Sequence, residues 1–376
     1  MKVVCEGIDL SDSVLKVVKA CSSKTTIPVL ECIKLSARND ELKLSATDGE
    51  ISILKTIRAE VYEEGDVCVP GRYFADFIKK LEGVQITLSS DGKKMDIVYA
   101  DSQTSMQVLS AEDFPKIEIE FDSTSADGTA GNSFKVKTSD LKKFISATTF
   151  CCANDDSRPI LKGCQFLING ENLCVTSLDG FRLATVSGSV SGYNGNLEIV
   201  CPARTLNEIE KMLPDGDDET EIFVQRGNIL VSVENTVLTS RLYGGDFIKK
   251  DNIIPRSFVT TVTVEKDKLK ASIERAAILV RNDKNSLIIF DISGDKIEIS
   301  SASEIGNVQE PVKAAIEGKD VRIAMNSKFI IEAVNALEED KITLSFNNSV
   351  QPFICQNEKN KDKLYLILPV RTSNNA

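Results

Sequence analysis

The side chains best suited to chemistry are two aspartates and an arginine beside predicted turns. Asp48 precedes Gly49, Asp179 precedes Gly180, and Arg182 follows the second pair. Carboxylates near an arginine could transfer protons in an enzyme. An Asp-Gly pair also favours a tight turn without any chemistry, because the carboxylate accepts backbone hydrogen bonds and glycine tolerates positive φ. An enzyme is therefore the weakest hypothesis, since the two aspartates would have to converge from distant parts of the chain.

Other common catalytic groups are missing from the 376 residues. The chain has no histidine, which excludes histidine-dependent triads and HExxH zinc sites. It contains neither GxGxxG nor GxxxxGK[ST], so we expect no metal and no cofactor. Its ten cysteines include no CxxC pair, and we interpret them as buried structural thiols in a reducing cytoplasm. Those among aliphatic residues are Cys5, Cys21, Cys32, Cys164, Cys174 and Cys201.

The turns belong to a long internal repeat. Asp48 and Asp179 are 131 positions apart, and the same shift places Leu30 on Leu161 without a gap. A second shift, of 124 positions, places Leu173 on Ile297 and Val175 on Ile299. A fixed long period predicts tandem copies of one structural unit.

Three copies account for the chain. A motif at Val69–Arg72 recurs at Cys201–Arg204 and at Met325–Lys328. We place the domains at residues 1–120, 133–250 and 256–376, with a Ser/Asp/Gly-rich first linker and a second linker that begins at Gly244. Each copy has about 125 residues, which suffices for its own hydrophobic core.

The residue pattern of each copy predicts an α+β domain that contains two helices and an antiparallel sheet. In the first copy, Asp9–Ala20 has helical spacing of apolar residues and opens with a capping aspartate. Cys32–Ser36 and Glu41–Ser45 alternate apolar and polar residues around a turn, which predicts a hairpin. Ile51 to Val61 predicts a further strand. The same order then recurs as a helix, a hairpin and a last strand. They are Arg72–Leu81, Val84–Leu88 with Met95–Val98, and Thr104–Leu109.

The charge pattern leaves two interpretations open. The net charge is −11, yet the predicted helices carry basic residues. A ring of repeats with its helices inside could hold DNA loosely through few phosphate contacts. Alternatively, these residues form an ordinary solvated helix face. The basic helix residues considered for DNA are Lys79, Lys80, Lys142, Arg204 and Lys211.

The order and spacing of short motifs resemble the bacterial DNA polymerase III beta subunits, the sliding clamps, from Met1 to Arg371. The motifs are Thr26–Leu30, Ala46–Asp48, Val69–Arg72, Asp113–Pro115, Leu178–Ala184, Cys201–Arg204, Ala276–Leu279, Asn326–Phe329, Asn335–Leu337 and Leu368–Arg371. No single motif is specific, whereas their arrangement over three thirds of the chain is.

The resemblance implies a DNA polymerase processivity factor that is not an enzyme. Two subunits would dimerise head to tail into a six-domain ring around double-stranded DNA, with helices inside and sheets outside. An ATP-driven clamp loader would place the ring on DNA. The replicative polymerase and repair proteins would dock linear motifs in a pocket between the second and third domains. A diverged clamp-like scaffold without a role in main replication is the alternative.

The resemblance also assigns residues to this pocket, although the aliphatic ones could instead be plain core between two domains. The matching positions are Arg158, Leu161, Gly180, Phe181, Arg182, Leu183, Ile248, Ile253, Asn326, Phe329, Val350, Pro352, Leu366, Leu368, Pro369, Val370 and Arg371.

Similar matches concern the dimer and DNA. Thr104 and Met106 match one side of the family's subunit interface, and Ile278 and Leu279 match the other. Lys24 matches a basic loop position that would contact phosphate without reading bases.

Four departures from the family pattern bear on these assignments. Pro159 and Ile160 precede Leu161, where the family often has an aromatic residue. Residues 247–250 read Phe-Ile-Lys-Lys, where the family usually has a second aromatic residue. Thr104 lies where the family often has a larger apolar residue, and Thr372–Ala376 extends beyond the usual C-terminus.

Overall fold

The computed structural model describes residues 1–117, 119, 132–283 and 286–372, which group into two compact units. The first unit comprises Met1–Ser139, Ser191–Tyr193 and Arg204–Leu242, and the second comprises Asp140–Val190, Asn194–Ala203 and Tyr243–Ala376. The central third of the chain is thus shared between the units, and the division into three domains at 1–120, 133–250 and 256–376 stays a prediction.

The first unit contains two antiparallel sheets with α-helices beside them. Its helices are α1 (Gly7–Val17), α2 (Gly71–Ile78) and nearly all of α4 (Ala203–Met212). Its strands are β1 (Lys2–Glu6), β2 (Cys32–Arg38), β3 (Glu41–Thr47), β4 (Ile51–Arg58), β5 (Glu60–Glu63), β6 (Gly65–Pro70), β7 (Gln85–Ser90), β8 (Lys94–Tyr99), β9 (Ser102–Gln107), β10 (Asn132–Lys137), β15 (Glu219–Gln225), β16 (Asn228–Val233) and β17 (Thr236–Arg241). The strand orders are β5-β1-β7-β8-β9 and β10-β15-β16-β17-β4-β3-β2-β6.

The second unit is built on one twelve-stranded antiparallel sheet. Its helices are α3 (Thr138–Thr148, of which the first two residues belong to the first unit), α5 (Lys266–Leu279) and α6 (Ser327–Asn335). Its strands are β11 (Gly163–Asn169), β12 (Asn172–Leu178), β13 (Arg182–Ser189), β14 (Asn196–Pro202), β18 (Thr260–Glu265), β19 (Leu287–Ser293), β20 (Lys296–Ser303), β21 (Gly306–Glu317), β22 (Val321–Asn326), β23 (Lys341–Phe346), β24 (Phe353–Asn357) and β25 (Lys363–Ile367). Their order is β14-β11-β12-β13-β25-β24-β23-β18-β21-β20-β19-β22.

Consecutive repeats are joined by sheet pairing inside each unit. In the first unit, β4 of the first repeat pairs with β17 of the second. In the second unit, β13 of the second repeat pairs with β25 of the third. We call these pairings the first and second seams. A seam pairs the edge strand of one repeat with the edge strand of the next, which satisfies backbone groups that would otherwise be exposed.

The two seams have the same register. Ile53 opposes Leu238 in the first seam, and Ala184 opposes Tyr365 in the second. Ile53 and Ala184 are 131 positions apart, which is the spacing of the sequence repeat. Five residue pairs are formed in each seam. The internal repeat therefore extends from the sequence to the way neighbouring repeats are joined.

The predicted hairpins and helices are confirmed, with corrections at their ends. The first helix begins at Gly7, and its N-cap residue Glu6 makes no side-chain cap, so Asp9 lies in the first turn instead of capping the helix. The predicted strand from Ile51 to Val61 is divided into β4 and β5. The break lies at Ala59, whose backbone N–H donates to the Asp40 carbonyl oxygen. The α-helices of the described residues contain 8 to 14 residues.

Two sequence predictions lie partly outside the described residues. The first linker includes residues 118 and 120–131, and the C-terminal extension includes residues 373–376. In the part of the chain that the structure does describe, no helix combines the length and apolar character needed to cross a membrane.

Candidate functional site

The Asp179–Gly180 turn positions the polar part of the candidate site. Asp179 Oδ1 accepts hydrogen bonds from the backbone N–H groups of Phe181 (2.9 Å) and Arg182 (3.0 Å). Gly180 has φ +90°, a conformation that side chains disfavour. The predicted turn is therefore confirmed, and it turns the chain directly from β12 into β13.

The equivalent turn in the first unit has the same construction. Asp48 Oδ1 accepts backbone hydrogen bonds from Glu50 and Ile51, both at 3.0 Å, and Gly49 has φ +93°. Structural needs thus account for both aspartates, as the interpretation without chemistry predicts.

Arg182 extends from the second turn into a buried cage. Its Nε donates to Asp179 Oδ2 (2.9 Å), its Nη1 donates to Glu332 Oε2, and its Nη2 donates to the Phe150 carbonyl oxygen (2.6 Å). The guanidinium carbon also lies 4.5 Å from the ring centroid of Phe329. With an exposed fraction of 7%, Arg182 is committed to internal contacts. Its place on the pocket floor stays a prediction, and these contacts show that its side chain supports the Asp179–Gly180 turn from beneath.

Phe181 and Phe329 provide the exposed apolar surface above this cage. Phe181 is 62% exposed, and its ring centroid lies 6.5 Å from that of Phe329 in a stacked arrangement. The Phe181 carbonyl oxygen accepts a hydrogen bond from the Leu368 N–H (2.8 Å). An exposed aromatic residue held by its backbone can contact a partner without rearrangement.

An apolar cluster lies beside the aromatic pair. Leu161, Leu183 and Leu366 are buried in it, and Leu183 and Leu366 oppose each other in the second seam. Ile248 and Ile253 pack against the same cluster and are only partly buried. Leu183 and Leu366 thus match the alternative in which these residues are core, whereas Ile248, Ile253 and Leu368 retain accessible apolar surface.

The remaining predicted pocket residues have mixed environments. Asn326 caps α6 by accepting from the Lys328 N–H (2.9 Å), and the Val370 N–H donates to the Ala324 carbonyl oxygen (2.8 Å). Pro352 and Pro369 are half-buried. Gly180, Arg158, Val350 and Arg371 are exposed, and none of the contacts described above involves the side chains of the last three.

Glu332 and Phe150 belong to the site but were missed in the sequence. Both hold the Arg182 guanidinium. Glu332 lies 150 positions from Arg182, so no local pattern could reveal the pair. The repeat offers one signal, since Glu332 lies 124 positions after Glu208 on the equivalent helix.

The predicted DNA-facing residues are exposed or half-buried, and several are paired with acids. Lys24 and Lys80 are exposed. Lys79 pairs with Asp76, and Lys211 pairs with Glu208 at 2.8 Å. Lys142 lies half-buried on α3, and Arg204 pairs with Asp48 and donates to the Lys19 carbonyl oxygen (3.0 Å).

The predicted dimer residues lie on an edge strand and a helix. Thr104 and Met106 are half-buried on β9, which ends the five-stranded sheet. They oppose Ile97 and Met95, both fully buried, so Thr104 and Met106 are on the core face. In the second unit, Ile278 is 69% exposed near the end of α5 and Leu279 is half-buried.

One cysteine differs from its predicted environment. Nine of the ten are buried, whereas Cys174 is half-buried. Its Sγ lies 2.7 Å from Lys250 Nζ, so its surroundings are not purely aliphatic. Across the described residues, no group of three or more His, Cys, Asp or Glu is arranged to hold a metal ion.

Known proteins are similar to this chain over nearly its full length. Models of the DNA polymerase III beta subunit match its N-terminal domain at residues 1–118, its central domain at 135–249 and its C-terminal domain at 251–371. The beta sliding clamp of Staphylococcus epidermidis is 31% identical over 365 residues, which cover 94% of this chain and 95% of the relative. The beta sliding clamp of Staphylococcus aureus has the same identity and coverage.

Solved structures agree with the family models. The DNA polymerase sliding clamp of Bacillus subtilis superposes with a TM-score of 0.92 at 28% identity, covering 99% of each chain. A DNA polymerase III beta subunit, described as putative, from Eubacterium rectale gives 0.91 at 30% identity, covering 99% of this chain and all of the other. None of these names supports the alternative of a scaffold outside replication. The chain therefore belongs to the DNA polymerase III beta subunit family, the sliding clamps, which serve DNA polymerases as processivity factors and are not themselves enzymes.

Proposed function

We propose that two copies of this chain close head to tail into a six-domain ring around double-stranded DNA and tether the replicative polymerase. A clamp loader places the ring on DNA, and partners dock linear motifs on the Phe181–Phe329 surface. The ring carries the processivity function of the family, because a closed ring can slide along DNA without dissociating. These contacts are sequence-independent, since phosphates carry no base information.

The observation that carries the proposal is the shared register of the two seams. Each seam pairs one strand from each of two repeats, and two equivalent strands take part in neither seam. They are β9 in the first repeat, which corresponds to β17 and β25, and β21 in the third repeat, which corresponds to β4 and β13. β9 pairs only with β8 among the described strands, and the 306–313 part of β21 pairs only with β20. Two matching free edges on one chain favour a closed head-to-tail assembly over an open edge.

The repeat predicts the register of the intersubunit pairing. Leu238 lies two residues beyond Thr236, which follows a two-residue hairpin turn, and Thr104 has the same position after Ser102. Thr104 therefore corresponds to Leu238 of the first seam. On β21, the residue that would oppose Thr104 is found from Ser177 and Ser301. These serines are equivalent positions of the second and third repeats, 124 residues apart.

These serines oppose Ala184 and Val308, respectively. Because Ala184 opposes Tyr365 in the second seam, Val308 takes the equivalent place in the intersubunit seam. We therefore pair Thr104 of one subunit with Val308 of the partner subunit. The exposed Ile278 and half-buried Leu279 on α5 lie in the same repeat as β21, as their predicted interface role requires.

Cysteine cross-linking tests this register. The substitutions Thr104→Cys and Val308→Cys are made together in a Cys174→Ser background, and the protein is oxidised mildly. Directly opposed strand residues bring their Cβ atoms within disulfide range. We expect a covalent dimer that disappears on reduction.

A matched control shifts one cysteine by a single residue. Thr104→Cys with Gln309→Cys should give no cross-link, because adjacent strand residues point to opposite faces. Light scattering of the unmodified chain should give 82.4 kDa, twice the 41.2 kDa of one chain. A 41.2 kDa species at high concentration, or cross-linking in the shifted pair alone, would contradict the proposed ring.

The docking proposal is supported by the exposed aromatic surface and the accessible Ile248, Ile253 and Leu368 beside it. Apolar side chains of a short partner segment would pack on Phe181, which is held by its backbone. We expect Phe181→Ala to weaken polymerase binding by about 1–3 kcal/mol, and to leave the ring and its melting temperature unchanged. Tyr73→Ala, which removes an aromatic side chain that is 77% exposed in the first repeat, provides the control. Equal loss of polymerase binding in both variants would argue against the Phe181 surface.

A further inference from the structure

Cys174 has a polar environment formed by three separate elements. It lies on β12, and its Sγ is 2.7 Å from Lys250 Nζ, in the short turn at Lys250–Asn252. Thr185 Oγ1 on β13 lies 3.2 Å from the sulfur and 3.2 Å from Lys250 Nζ. Cys174 and Lys250 are both half-buried, so neither residue is fully enclosed by the fold.

The partners of Lys250 indicate the charge of the sulfur. An ammonium group can only donate hydrogen bonds. In the described parts of the chain, Lys250 Nζ donates to Cys174 Sγ and Thr185 Oγ1 and pairs with no carboxylate. A thiolate accepts such a hydrogen bond better than a thiol and balances the charge of the lysine. The pair is therefore arranged to stabilise the reactive form of the cysteine.

Several of the other thiols have pKa values that are shifted in the opposite direction. Burial raises the pKa of Cys5 and of Cys21 to about 12. Burial would also raise the pKa of Cys174, but hydrogen bonds from Lys250 and Thr185 hold it below its usual range. Reaction with oxidants should consequently be selective for one cysteine of the ten.

We propose that Cys174 and Lys250 form an oxidation site, at which a peroxide converts the thiolate to a sulfenic acid that Lys250 captures as an intramolecular sulfur–nitrogen bond. The first step transfers one oxygen atom from hydrogen peroxide to the thiolate and releases hydroxide. The sulfur is oxidised by two electrons and the peroxide is reduced.

The released hydroxide takes a proton from the Lys250 ammonium and becomes the first water. In the second step, the resulting amine attacks the sulfur, and the sulfur–oxygen bond breaks. The hydroxyl leaves as water with a proton from the nitrogen. Overall, a thiol, an amine and one hydrogen peroxide give a sulfenamide and two waters. The 2.7 Å separation already lies within the range of reactive approach, so little movement precedes bond formation.

The bond would tie the second linker to the sheet. Lys250 follows Ile248 and precedes Ile253, which both pack against the apolar cluster beside Phe181. Oxidation thereby fixes the linker residues that border the proposed docking surface. Thiol reductants would restore the free lysine, as they do for sulfenamides in general.

Peptide mapping by mass spectrometry tests the inference on the full chain. The reduced protein is treated with a small excess of hydrogen peroxide, denatured, alkylated and digested. We expect a species joining the Cys174 and Lys250 peptides, about 2 Da lighter than their reduced sum and cleaved by dithiothreitol. Cys174→Ser should abolish it.

Two lysine variants separate the steps. Lys250→Arg keeps a cation beside the sulfur, so dimedone should trap the sulfenic acid on Cys174 without any cross-link. Lys250→Met removes the cation, and alkylation of Cys174 should slow by about tenfold. Circular dichroism checks that each variant is folded.

Either of two results would overturn the proposal. One is a species about 2 Da lighter in Lys250→Arg, which would point to a disulfide such as Cys152–Cys164, whose sulfurs are 3.5 Å apart. The other is equal alkylation rates of Cys174 in the wild type and in Lys250→Met.

Discussion

Arg182 of the second repeat donates a hydrogen bond to Glu332 on α6 of the third repeat. The first unit has a related pair at other positions of the repeat and with its charges exchanged, because Arg204 on α4 donates to Asp48 in the turn. In both cases an ion pair ties an Asp-Gly turn to the helix of the next repeat. The second pair is the more buried, since the Arg182 side chain is 6% exposed and that of Arg204 is 51% exposed.

Arg182→Ala should therefore destabilise the protein. The substitution leaves Asp179, Glu332 and the Phe150 carbonyl oxygen without their donor in a buried place. Breaking a buried ion pair costs about 3–5 kcal/mol. Chemical denaturation should detect this loss as a lower midpoint.

Arg158→Ala is the control for this prediction. Arg158 is exposed three residues before Leu161, and its removal should change the free energy of unfolding by less than about 0.5 kcal/mol. Similar stabilities of the two variants would show that the contacts of Arg182 with Asp179, Glu332 and Phe150 do not stabilise the fold.

The contrast between these arginines illustrates what the sequence could reveal. Short-range features were predictable, because the Asp179–Gly180 turn and the hairpins depend on residues adjacent in the chain. The repeat was also visible, since equivalent apolar residues recur at fixed spacing. The family resemblance then indicated the region of the candidate site around Phe181.

Contacts between distant residues were not predictable. The Arg182–Glu332 pair and the Cys174–Lys250 contact join residues 150 and 76 positions apart. Alternation along β12 distinguishes its two faces, but it cannot reveal which side chain from another element covers each face. Leu183 is buried where β13 pairs with β25, whereas Phe181, two positions away, is exposed in the turn before the paired strand, so hydrophobicity alone does not decide their burial.

The ion pair between Asp12 and Lys55 should make the first unit sensitive to acid. Asp12 Oδ2 lies 2.9 Å from Lys55 Nζ and 3.1 Å from Lys16 Nζ. Burial alone would raise the pKa of Asp12, but hydrogen bonds from Lys55 and Lys16 outweigh it and hold the pKa below the usual range. The stabilisation is present above the pKa of the unfolded chain, and it is lost as pH falls through the folded pKa.

Asp12→Asn should lower the free energy of unfolding at pH 7 by about 1–2 kcal/mol, because it leaves the buried Lys55 without its carboxylate partner. The loss is smaller than for a fully buried ion pair, because Asp12 itself is half-exposed. The difference from wild type should shrink in urea titrations below about pH 4. Glu41→Gln, at an exposed position, should have no such effect. A difference that stays constant between pH 7 and pH 3 would exclude the ion pair as its source.

Lys24→Glu should reduce retention of the ring on closed circular DNA. The loss should be largest at low salt, because an exposed lysine contacts phosphate through a screened electrostatic interaction. The slope of log affinity against log salt should fall by about one. Lys43→Glu changes the net charge equally at an exposed position on β3, and it should leave the slope unchanged. Identical slopes for both variants would remove Lys24 from the DNA contact.

Thr104→Leu should strengthen the dimer. Thr104 corresponds to Leu238 and Tyr365, which are 0% and 1% exposed in the two seams of the chain. A larger apolar side chain there would bury surface worth about 1 kcal/mol per interface. A two-subunit ring contains the interface twice, so the dissociation constant should fall by about 30-fold.

Dilution followed by light scattering measures this change, with Gln103→Leu as the control on the opposite face of β9. The control should leave the dissociation constant unchanged, because residue 103 points away from the core face that Thr104 shares with Met106. If Thr104→Leu dissociates at the same concentration as the wild type, β9 does not form the intersubunit seam. A gain in both variants would instead indicate nonspecific association through added hydrophobic surface.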